Sequence, residues 1–352
     1  MEKWAGTCVF MSCMLLTLAA TAQGPAAARQ SQAYKTQTLS VVDELTIKSD
    51  VARMFIDPIK CDSDGNIYLM TSPSPSEDIQ KFSSKGELLV HFVASSTSDI
   101  AVQVVTYYSI GENGEVYQVA FPRQTIRRAI LTFARDGSYK AGVVLDNPPG
   151  AKDWVPSQVA AFSSGDLLVS GLAIDGEKHI STPFTGIFAP TGQLRKQVAL
   201  PDDEDIQKMV EGGDPSVVAA DHPYSNRAVE LGDMDAAGDG NIYLLRNVSP
   251  AIFYAISPGG EVVRRFTVDI VDRIASMHIS GDRIALAYHD RGTQTHTIKV
   301  VDFEGHVLAT YQQPMKDQLG FALACYTSKS ERFTFVTTSD DGFLQFKFAE
   351  RK

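Results

Sequence analysis

The chain has 352 residues, of which 44% are hydrophobic and 21% are charged, and its formal net charge at pH 7 is -10. An acidic chain of this composition is a poor partner for a phosphate backbone, so nucleic acid is excluded from the expected partners. The hydrophobic content is sufficient for a substantial core, and a single domain of radially repeated β-sheets accommodates this length.

The first 22 residues have the pattern of a secretory signal peptide. Lys3 precedes a short apolar run at 9–18, and Ala20-Thr21-Ala22 forms a small-x-small cleavage site. The run is too short to span a bilayer, and no later stretch has the length of a membrane helix. Residues 23–35 are rich in Ala, Gln and Gly, which predicts a flexible lead. We therefore expect a secreted or periplasmic protein without a transmembrane segment.

The remaining chain is organised around a repeat that contains two glycine turns. The first turn recurs at Gly65, Gly114, Gly165, Gly240 and Gly281. The second recurs in step with it at Gly86, Gly137, Gly192, Gly260 and Gly305. Apolar, β-rich runs flank both turns, and a repeat of about 40–50 residues with this pattern is typical of the blades of a β-propeller. Because Gly, Asn and Asp adopt positive φ readily, the turn residues indicate hairpin tips.

Each repeat predicts four short strands, but the last repeat has only three before the chain ends. The segment 36–47 is β-rich and has no partner of its own upstream of the first repeat. Pairing this segment with the last repeat would complete that blade and would leave no open sheet edge at the closure. The sequence therefore predicts an all-β fold: a six-bladed β-propeller at 36–350 with four-stranded antiparallel blades, closed by the N-terminal strand.

Two cysteines follow the predicted signal peptide. Cys61 and Cys325 each fall in the innermost strand of a blade, just before its first turn, and blades one and six are neighbours if the ring closes. In an oxidising compartment these residues could form a disulfide across the closure. Two buried free thiols are the alternative, because adjacent inner strands can lie too far apart for a disulfide.

The predicted strand order divides the loops between two faces of the ring. Both glycine turns lie on one face, the tight-turn face, whereas the opposite, long-loop face carries the longer connections. Residues 201–231 form the longest of these, an acidic insertion between blades three and four in which 205–211 predict a short helix. The insertion is either a lid over the central opening or solvated decoration. Because function commonly lies on long loops, we expect the long-loop face to be the binding face.

Several polar or aromatic residues are predicted on that face. The binding candidates are Trp154, His179, His222, Tyr224, Arg227, Arg246 and His289. An exposed indole is a common anchor for a partner, so Trp154 is the most suggestive of them. Its alternative role is packing against a neighbouring loop.

A second set of residues could line the axis of the ring. Asp233, Asp235 and His278 fall in predicted inner strands of adjacent blades, and carboxylates with an imidazole suit a divalent ion. The alternative is a structural role or simple lining of the channel. No cofactor is otherwise predicted, since the sequence contains no catalytic triad, zinc motif or phosphate loop.

The repeat pattern resembles the NHL-type six-bladed β-propellers of secreted bacterial proteins. The resemblance is carried by the two Asp-Gly-Asn-Ile-Tyr-Leu runs at 64–69 and 239–244, although the Asn-His-Leu triplet that names the group is absent. It implies a scaffold whose members include ligand-sensing ectodomains and interaction modules. We therefore expect a secreted, monomeric binding or scaffold propeller that contacts protein, peptide or glycan through its long-loop face. Related rings include metal-dependent enzymes, so the alternative is a hydrolase or lyase with a divalent cation at the axis. No catalytic residue is carried over.

Overall fold

The protein was examined as a computed structural model, which describes residues 36–47, 56–70, 78–96, 99–123, 125, 127–175, 180–212, 232–314 and 322–352. The described chain forms six sheets, and each sheet contains four antiparallel strands. The predicted signal peptide at 1–22 and the predicted lead at 23–35 lie outside the described residues, and so does the segment 213–231 of the insertion.

The strands are numbered in chain order. Blade one contains β2 (Ile56–Cys61), β3 (Ile67–Met70), β4 (Asp78–Phe82) and β5 (Leu88–Val93). Blade two contains β6 (Val102–Ile110), β7 (Val116–Pro122), β8 (Ala129–Phe133) and β9 (Tyr139–Val144). Blade three contains β10 (Asp153–Ala161), β11 (Leu167–Asp175), β12 (Ile180–Phe188) and β13 (Leu194–Gln197).

Blade four contains β14 (Met234–Ala236), β15 (Ile242–Arg246), β16 (Ala251–Ile256) and β17 (Val262–Val268). Blade five contains β18 (Ile274–Ser280), β19 (Arg283–Asp290), β20 (Thr295–Asp302) and β21 (Val307–Pro314). Blade six contains β22 (Ala322–Thr327), β23 (Arg332–Thr338), β24 (Leu344–Arg351) and β1 (Leu39–Ile47). Helix α1 (Asp203–Gly212) follows blade three, and a 3-10 turn (Ala94–Ser96) follows blade one.

The first strand of each blade, counted from the axis, contacts the first strands of the neighbouring blades. These contacts run in order through β2, β6, β10, β14, β18 and β22 and return to β2. The ring is therefore closed, and blades one and four lie on opposite sides of its axis. The predicted six-bladed propeller fold is confirmed.

The glycine turns share one hydrogen-bonding pattern, with the exception of the two-residue turn at Gly281. In the first of them, the Gly65 amide donates to the Asp62 carbonyl at 2.9 Å, and the Asp62 amide donates to the Asn66 carbonyl at 3.1 Å. Gly65 has a φ of 76°, which an L side chain rarely adopts. This is a type I turn followed by a left-handed residue, a common hairpin loop of three residues.

The Asp-Gly-Asn-Ile-Tyr motif has a structural explanation in the same turn. The Asp62 carboxylate accepts hydrogen bonds from Asn66 Nδ2 at 2.9 Å and from the Tyr68 hydroxyl at 3.1 Å. Lys81 Nζ lies 2.9 Å from the same carboxylate. In the turn of blade four the Tyr243 hydroxyl also donates to an acid, Asp239 at 3.0 Å, which occupies the position of Asp64 rather than that of Asp62. The acid thus fastens the hairpin tip to the strand that follows it.

Strand β1 closes the ring as the sequence predicted. It pairs antiparallel with β24, from Leu39 opposite Arg351 to Ile47 opposite Leu344. Leu39 and Ile47 are buried, so the strand also contributes to the core. A disulfide between Cys61 and Cys325, whose Cα atoms are 5.4 Å apart, joins the innermost strands of blades one and six.

Candidate functional site

Polar side chains from opposite blades meet at the axis of the ring. Lys60 on β2 extends to blade four, where its Nζ lies 2.9 Å from Asp233 Oδ1 and 4.0 Å from Asp235 Oδ2. Tyr107 on β6 donates its hydroxyl hydrogen to the same Asp233 oxygen at 2.7 Å. We call Lys60, Tyr107, Asp233 and Asp235 the axial cluster.

Burial and charge determine the protonation of the cluster. Burial lowers the pKa of Lys60, but the attraction of Asp233 and Asp235 outweighs this effect, so the pKa is raised above its usual value. Burial would raise the pKa of Asp233, yet Lys60 and the Tyr107 hydrogen bond lower it overall. Burial, with the charge of Asp233 as a smaller cause, raises the pKa of Asp235 to about 6 against the partial opposition of Lys60. Asp235 is thus the carboxylate that the cluster satisfies least.

His278 lies beside the cluster but is engaged elsewhere. Its Nε2 is 2.7 Å from the Leu323 carbonyl oxygen on the neighbouring blade six, to which it donates a hydrogen bond. Burial lowers the pKa of His278 to about 4, and the charge of Lys60 contributes in the same direction. The imidazole is therefore neutral at physiological pH and links two inner strands.

The axial cluster lies at the inner end of a cavity of about 650 Å³. We call this cavity the axial funnel. It is lined by segments of all six blades, namely 60–64, 110–114 with Arg135, 161–163, 235–238 with 240–242, 279–281 and 326–329. Nearly all of these segments belong to the first turn of a blade or to the strand ends beside it. The funnel therefore opens on the tight-turn face.

Most charges along the funnel wall are paired within the protein. Asp62 is bound to Lys81 at 2.9 Å, and Asp64 is bound to Arg135 at 3.0 Å. Glu112 and Lys329 are exposed on the first turns of blades two and six, at the rim. Small-molecule binding sites are commonly cavities of about 300–1,000 Å³ that carry a few well-placed polar groups. The funnel meets both the volume condition and the polar-group condition.

Two of the predicted binding residues are buried and cannot contact a partner. Trp154 is 1% exposed, stacks on Phe188 with ring centroids 5.6 Å apart and meets Phe184 edge-on at 5.5 Å. The prediction of an exposed Trp154 anchor is therefore wrong, because the indole fills the core of blade three. Arg246 is fully buried and donates to both carboxylate oxygens of Asp203 at 2.9 and 3.0 Å.

The remaining binding candidates are not brought together by the described structure. His289 is exposed, and its ring centroid is 4.3 Å from that of His296 on the next strand. His179, His222, Tyr224 and Arg227 lie outside the described residues. The long-loop face remains a prediction, since much of it lies in the segments that the structure leaves undescribed.

The start of the insertion at 201–231 is attached to the propeller. A short helix was predicted at 205–211, and α1 occupies Asp203–Gly212. Besides the contact of Asp203 with Arg246, Asp202 accepts hydrogen bonds from the Tyr254 hydroxyl at 2.5 Å and from Arg265 at 2.7 Å. This part of the insertion is anchored on blade four, which argues against loose decoration for residues 202–206.

Two of the three predicted metal ligands, Asp233 and His278, are occupied by protein groups. Asp233 is neutralised by Lys60 and hydrogen-bonded by Tyr107, while His278 Nε2 is used by the Leu323 carbonyl. A divalent ion on Asp233, Asp235 and His278 would have to displace the Lys60 ammonium group, so the geometry does not favour this alternative.

Another group of residues with metal-binding side chains lies on an outer turn. Ligand atoms of Asp302, Glu304 and His306 lie within 4.8 Å of one another. However, Asp302 Oδ1 accepts the backbone amides of Glu304 and His306 at 2.9 and 2.8 Å, and its Oδ2 lies 2.9 Å from His306 Nδ1. These contacts stabilise the second turn of blade five and account for the grouping without a metal.

Lys60 and Tyr107 were not predicted as site residues, although the sequence contains a signal for both. Lys60 and Asp235 each lie five residues before the first-turn glycine of their blades, at Gly65 and Gly240. Tyr107 and Asp233 each lie seven residues before the first-turn glycine of their blades, at Gly114 and Gly240. Because side chains two apart on a strand share a face, these positions point to the axis together. The signal is the presence of an acid and its cation or hydroxyl donor at equivalent positions of different blades.

Comparisons with known proteins identify the fold and no family. No family model matches the chain, and no curated protein matches it. A "putative exported protein" from Bacteroides fragilis has a similar structure, with a TM-score of 0.52, 10% identity and coverage of 91% of this chain and 97% of that chain. Two further similar structures are a protein of unknown function from Bacteroides caccae and the propeller of Dos1. The first gives a TM-score of 0.46, 16% identity and coverage of 73% and 81% of the two chains. The second gives 0.44, 11% identity and coverage of 81% and 75%.

These identities are low, so the similarity concerns the fold alone. The resemblance to the NHL-type group therefore remains a resemblance of motifs. Among the described residues, no helix is long and apolar enough to cross a membrane.

Proposed function

We propose that this protein is an exported binding protein and that its ligand, a small polar molecule, enters the axial funnel from the tight-turn face. The observation that carries the proposal is the funnel itself. A cavity of about 650 Å³ is bounded by the first turns of all six blades and ends on a buried, charged cluster. A rigid ring of this kind holds such groups in fixed positions, which favours binding.

Export is supported by three observations of different kinds. The first 22 residues have the pattern of a signal peptide. The Bacteroides fragilis protein with the similar fold is described as exported. A disulfide between Cys61 and Cys325 also suits an oxidising compartment.

The funnel is a more specific candidate than the long-loop face predicted from the sequence. Its wall is formed by short hairpins that are fixed by internal hydrogen bonds, as at Asp62 and Asp239. On the other face, Trp154 and Arg246 are used in packing and ion pairing within the protein.

A matched pair of glycine substitutions tests the proposal. A Cβ atom at Gly238 or at Gly212 meets no atom of the described residues within 4 Å, and neither residue has a positive φ, so both sites accept a side chain. Gly238 lines the funnel, whereas Gly212 ends α1 on the long-loop side. Tryptophan at 238 would obstruct the funnel, and tryptophan at 212 would not.

The assay is a thermal-shift screen of small amines, amino acids, sugars and carboxylic acids against the wild type and both variants. We expect compounds that stabilise the wild type to lose their effect on Gly238→Trp and to retain it on Gly212→Trp. Compounds whose effect survives Gly238→Trp but is lost in Gly212→Trp would place binding outside the funnel and contradict the proposal.

A further inference from the structure

The inner end of the axial funnel carries more negative than positive charge. Lys60 is the cation of the axial cluster, and it lies between the carboxylates of Asp233 and Asp235. With both carboxylates ionised, the cluster has a net charge of -1. Lys60 interacts unequally with the two acids. Its Nζ lies at hydrogen-bond distance, 2.9 Å, from Asp233 Oδ1 and at 4.0 Å from Asp235 Oδ2.

The excess charge resides on Asp235, which faces the funnel. Asp233 receives both the ammonium group of Lys60 and the hydroxyl group of Tyr107. Asp235 receives the backbone amide of Ala236 and the more distant attraction of Lys60. Its side chain is 21% exposed and lines the funnel, so a ligand can reach it. The carboxylate therefore retains capacity for a strong hydrogen-bond donor.

We propose that the funnel binds a ligand through a primary ammonium group and that the Asp235 carboxylate receives this group. The inference rests on the proposed binding function and assigns the chemistry of its ligand. An ammonium ion would neutralise the cluster and supply hydrogen bonds that Asp235 does not obtain from the described part of the chain. Hydrogen bonds between oppositely charged groups are about twice as strong as neutral ones.

The same arrangement of charges selects against anionic ligands and against neutral polar ligands. A carboxylate or phosphate ligand at the inner end would meet Asp233 and Asp235 with repulsion, because Lys60 is already committed between them. A neutral hydroxyl group could donate to Asp235 but would leave the excess charge uncompensated in a partly buried place, which is costly.

The pH dependence of binding gives a readout that a purely structural role of Asp235 would not change. The charged or titratable groups that act on Asp235 are Lys60, Tyr107 and Asp233, and His278 acts on Lys60 and Asp233. Burial lowers the pKa of His278 to about 4, and that of Tyr107 is raised well above 10, so neither group titrates between pH 5 and 8. Since the pKa of Asp235 is about 6, ammonium binding should weaken as the pH falls from 7.5 to 5.

The test is isothermal titration of the propeller with three probes of equal chain length at pH 7.5. The probes are 1,4-diaminobutane, the uncharged 1,4-butanediol and the dianion succinate. We expect 1,4-diaminobutane to bind with 1:1 stoichiometry and the other two probes to bind at least about 10-fold more weakly, as the loss of one charged hydrogen bond implies. Asp235→Asn should weaken the diamine by about 10- to 100-fold, and should remove the decrease between pH 7.5 and 5. Glu204→Gln, on α1 outside the funnel, should change its affinity by less than about twofold.

Each alternative outcome decides against the inference. Equal binding of the diamine and the diol, unchanged binding to Asp235→Asn, or no binding of the diamine to the wild type would overturn it. Compounds from the thermal-shift screen that lose their effect on Gly238→Trp would leave the proposed binding function standing in each of these cases. Asp235→Asn is not expected to impair folding, because it removes a poorly satisfied charge, and a melting curve of the variant verifies this.

Discussion

Lys60 of blade one and Asp233 of blade four, on opposite sides of the ring, meet at its axis with 2.9 Å between Nζ and Oδ1. The lysine side chain is 2% exposed, so the contact is a buried ion pair. Taking two charges out of water is costly, and their attraction repays this only when the geometry is good and further hydrogen bonds are made. Tyr107 supplies one of these hydrogen bonds.

Removing one partner of this ion pair should destabilise the protein strongly. Lys60→Met leaves the Asp233 carboxylate buried without its cation, and we expect the free energy of unfolding to fall by about 3–5 kcal/mol. The double variant Lys60→Met with Asp233→Leu should recover most of this loss. Urea denaturation of the wild type and the variants measures both effects.

An exposed ion pair is the control for this prediction. Lys196 and Glu261 lie 2.7 Å apart with roughly half of each side chain exposed. Lys196→Met should therefore change the free energy of unfolding by no more than about 1 kcal/mol. A loss at Lys60 as small as that at Lys196 would show that the axial pair is not buried as described.

The raised pKa of Asp235 should make the protein less stable at neutral pH than its amide variant. The folded state holds the carboxyl proton with a pKa of about 6, compared with 3.8 for an ordinary aspartate. The unfolded chain releases the proton first as the pH rises, so this group costs stability progressively between pH 4 and 6, up to about 3 kcal/mol. Asp235→Asn removes this cost.

Urea denaturation at pH 7.5 and pH 4 compares the two proteins. We expect Asp235→Asn to be more stable than the wild type at pH 7.5 and the difference to shrink towards pH 4. A variant that is less stable than the wild type at pH 7.5 would contradict this prediction. It would mean that Lys60 offsets the whole cost of burying the charged Asp235 carboxylate.

Asp203 at the start of α1 should contribute more to stability than its exposed neighbour. Arg246 is fully buried and donates to both oxygens of Asp203, and it also contacts Ser170 Oγ at 3.1 Å and Thr185 Oγ1 at 3.2 Å. Asp203→Ala leaves the guanidinium group buried without a counter-charge, so we expect a loss of about 3–5 kcal/mol.

Glu204→Ala in the next position is the matched control. The Glu204 side chain is 84% exposed and pairs with Lys208 on the same helix, so its removal should cost less than about 0.5 kcal/mol. Equal losses for the two variants in chemical denaturation would contradict the assigned role of Asp203.

The disulfide between Cys61 and Cys325 should stabilise the closure of the ring. It links residues separated by 264 positions in the sequence, which restricts the unfolded chain strongly. We expect the double variant Cys61→Ser with Cys325→Ser to lose about 2–5 kcal/mol of unfolding free energy. Dithiothreitol should lower the melting temperature of the wild type and leave that of the double variant unchanged. If dithiothreitol lowered the melting temperatures of both proteins equally, this would contradict the disulfide.

Local turn chemistry explains why the fold was predictable from the sequence. Residues such as Gly65, Gly86 and Gly240 mark hairpin tips because their positive φ is a local requirement. Two such turns in each repeat determine the strand order, and the unpaired segment 36–47 then has one place to pair. Blade six lacks the first-turn glycine, and there Glu331 takes the positive φ of 49°.

The functional residues were harder to predict because their roles depend on packing between blades. Trp154 and Arg246 are residue types that are common on binding surfaces. In the structure, however, neighbouring strands bury Trp154, and an acid of α1 neutralises Arg246. Asp233 and Asp235 were predicted near the axis from their position in the repeat, whereas their partner Lys60 lies far away in the sequence. Comparison of equivalent blade positions would have found this pair.

The location of a bound ligand tests the central claim, that the axial funnel is the binding site, most directly. A crystal structure of the protein soaked with the compound that raises its melting temperature most would reveal this location. We predict ligand density between the first turns of the blades, in contact with Asp235. Density confined to the long-loop face, beside His289, with an empty funnel would contradict the account.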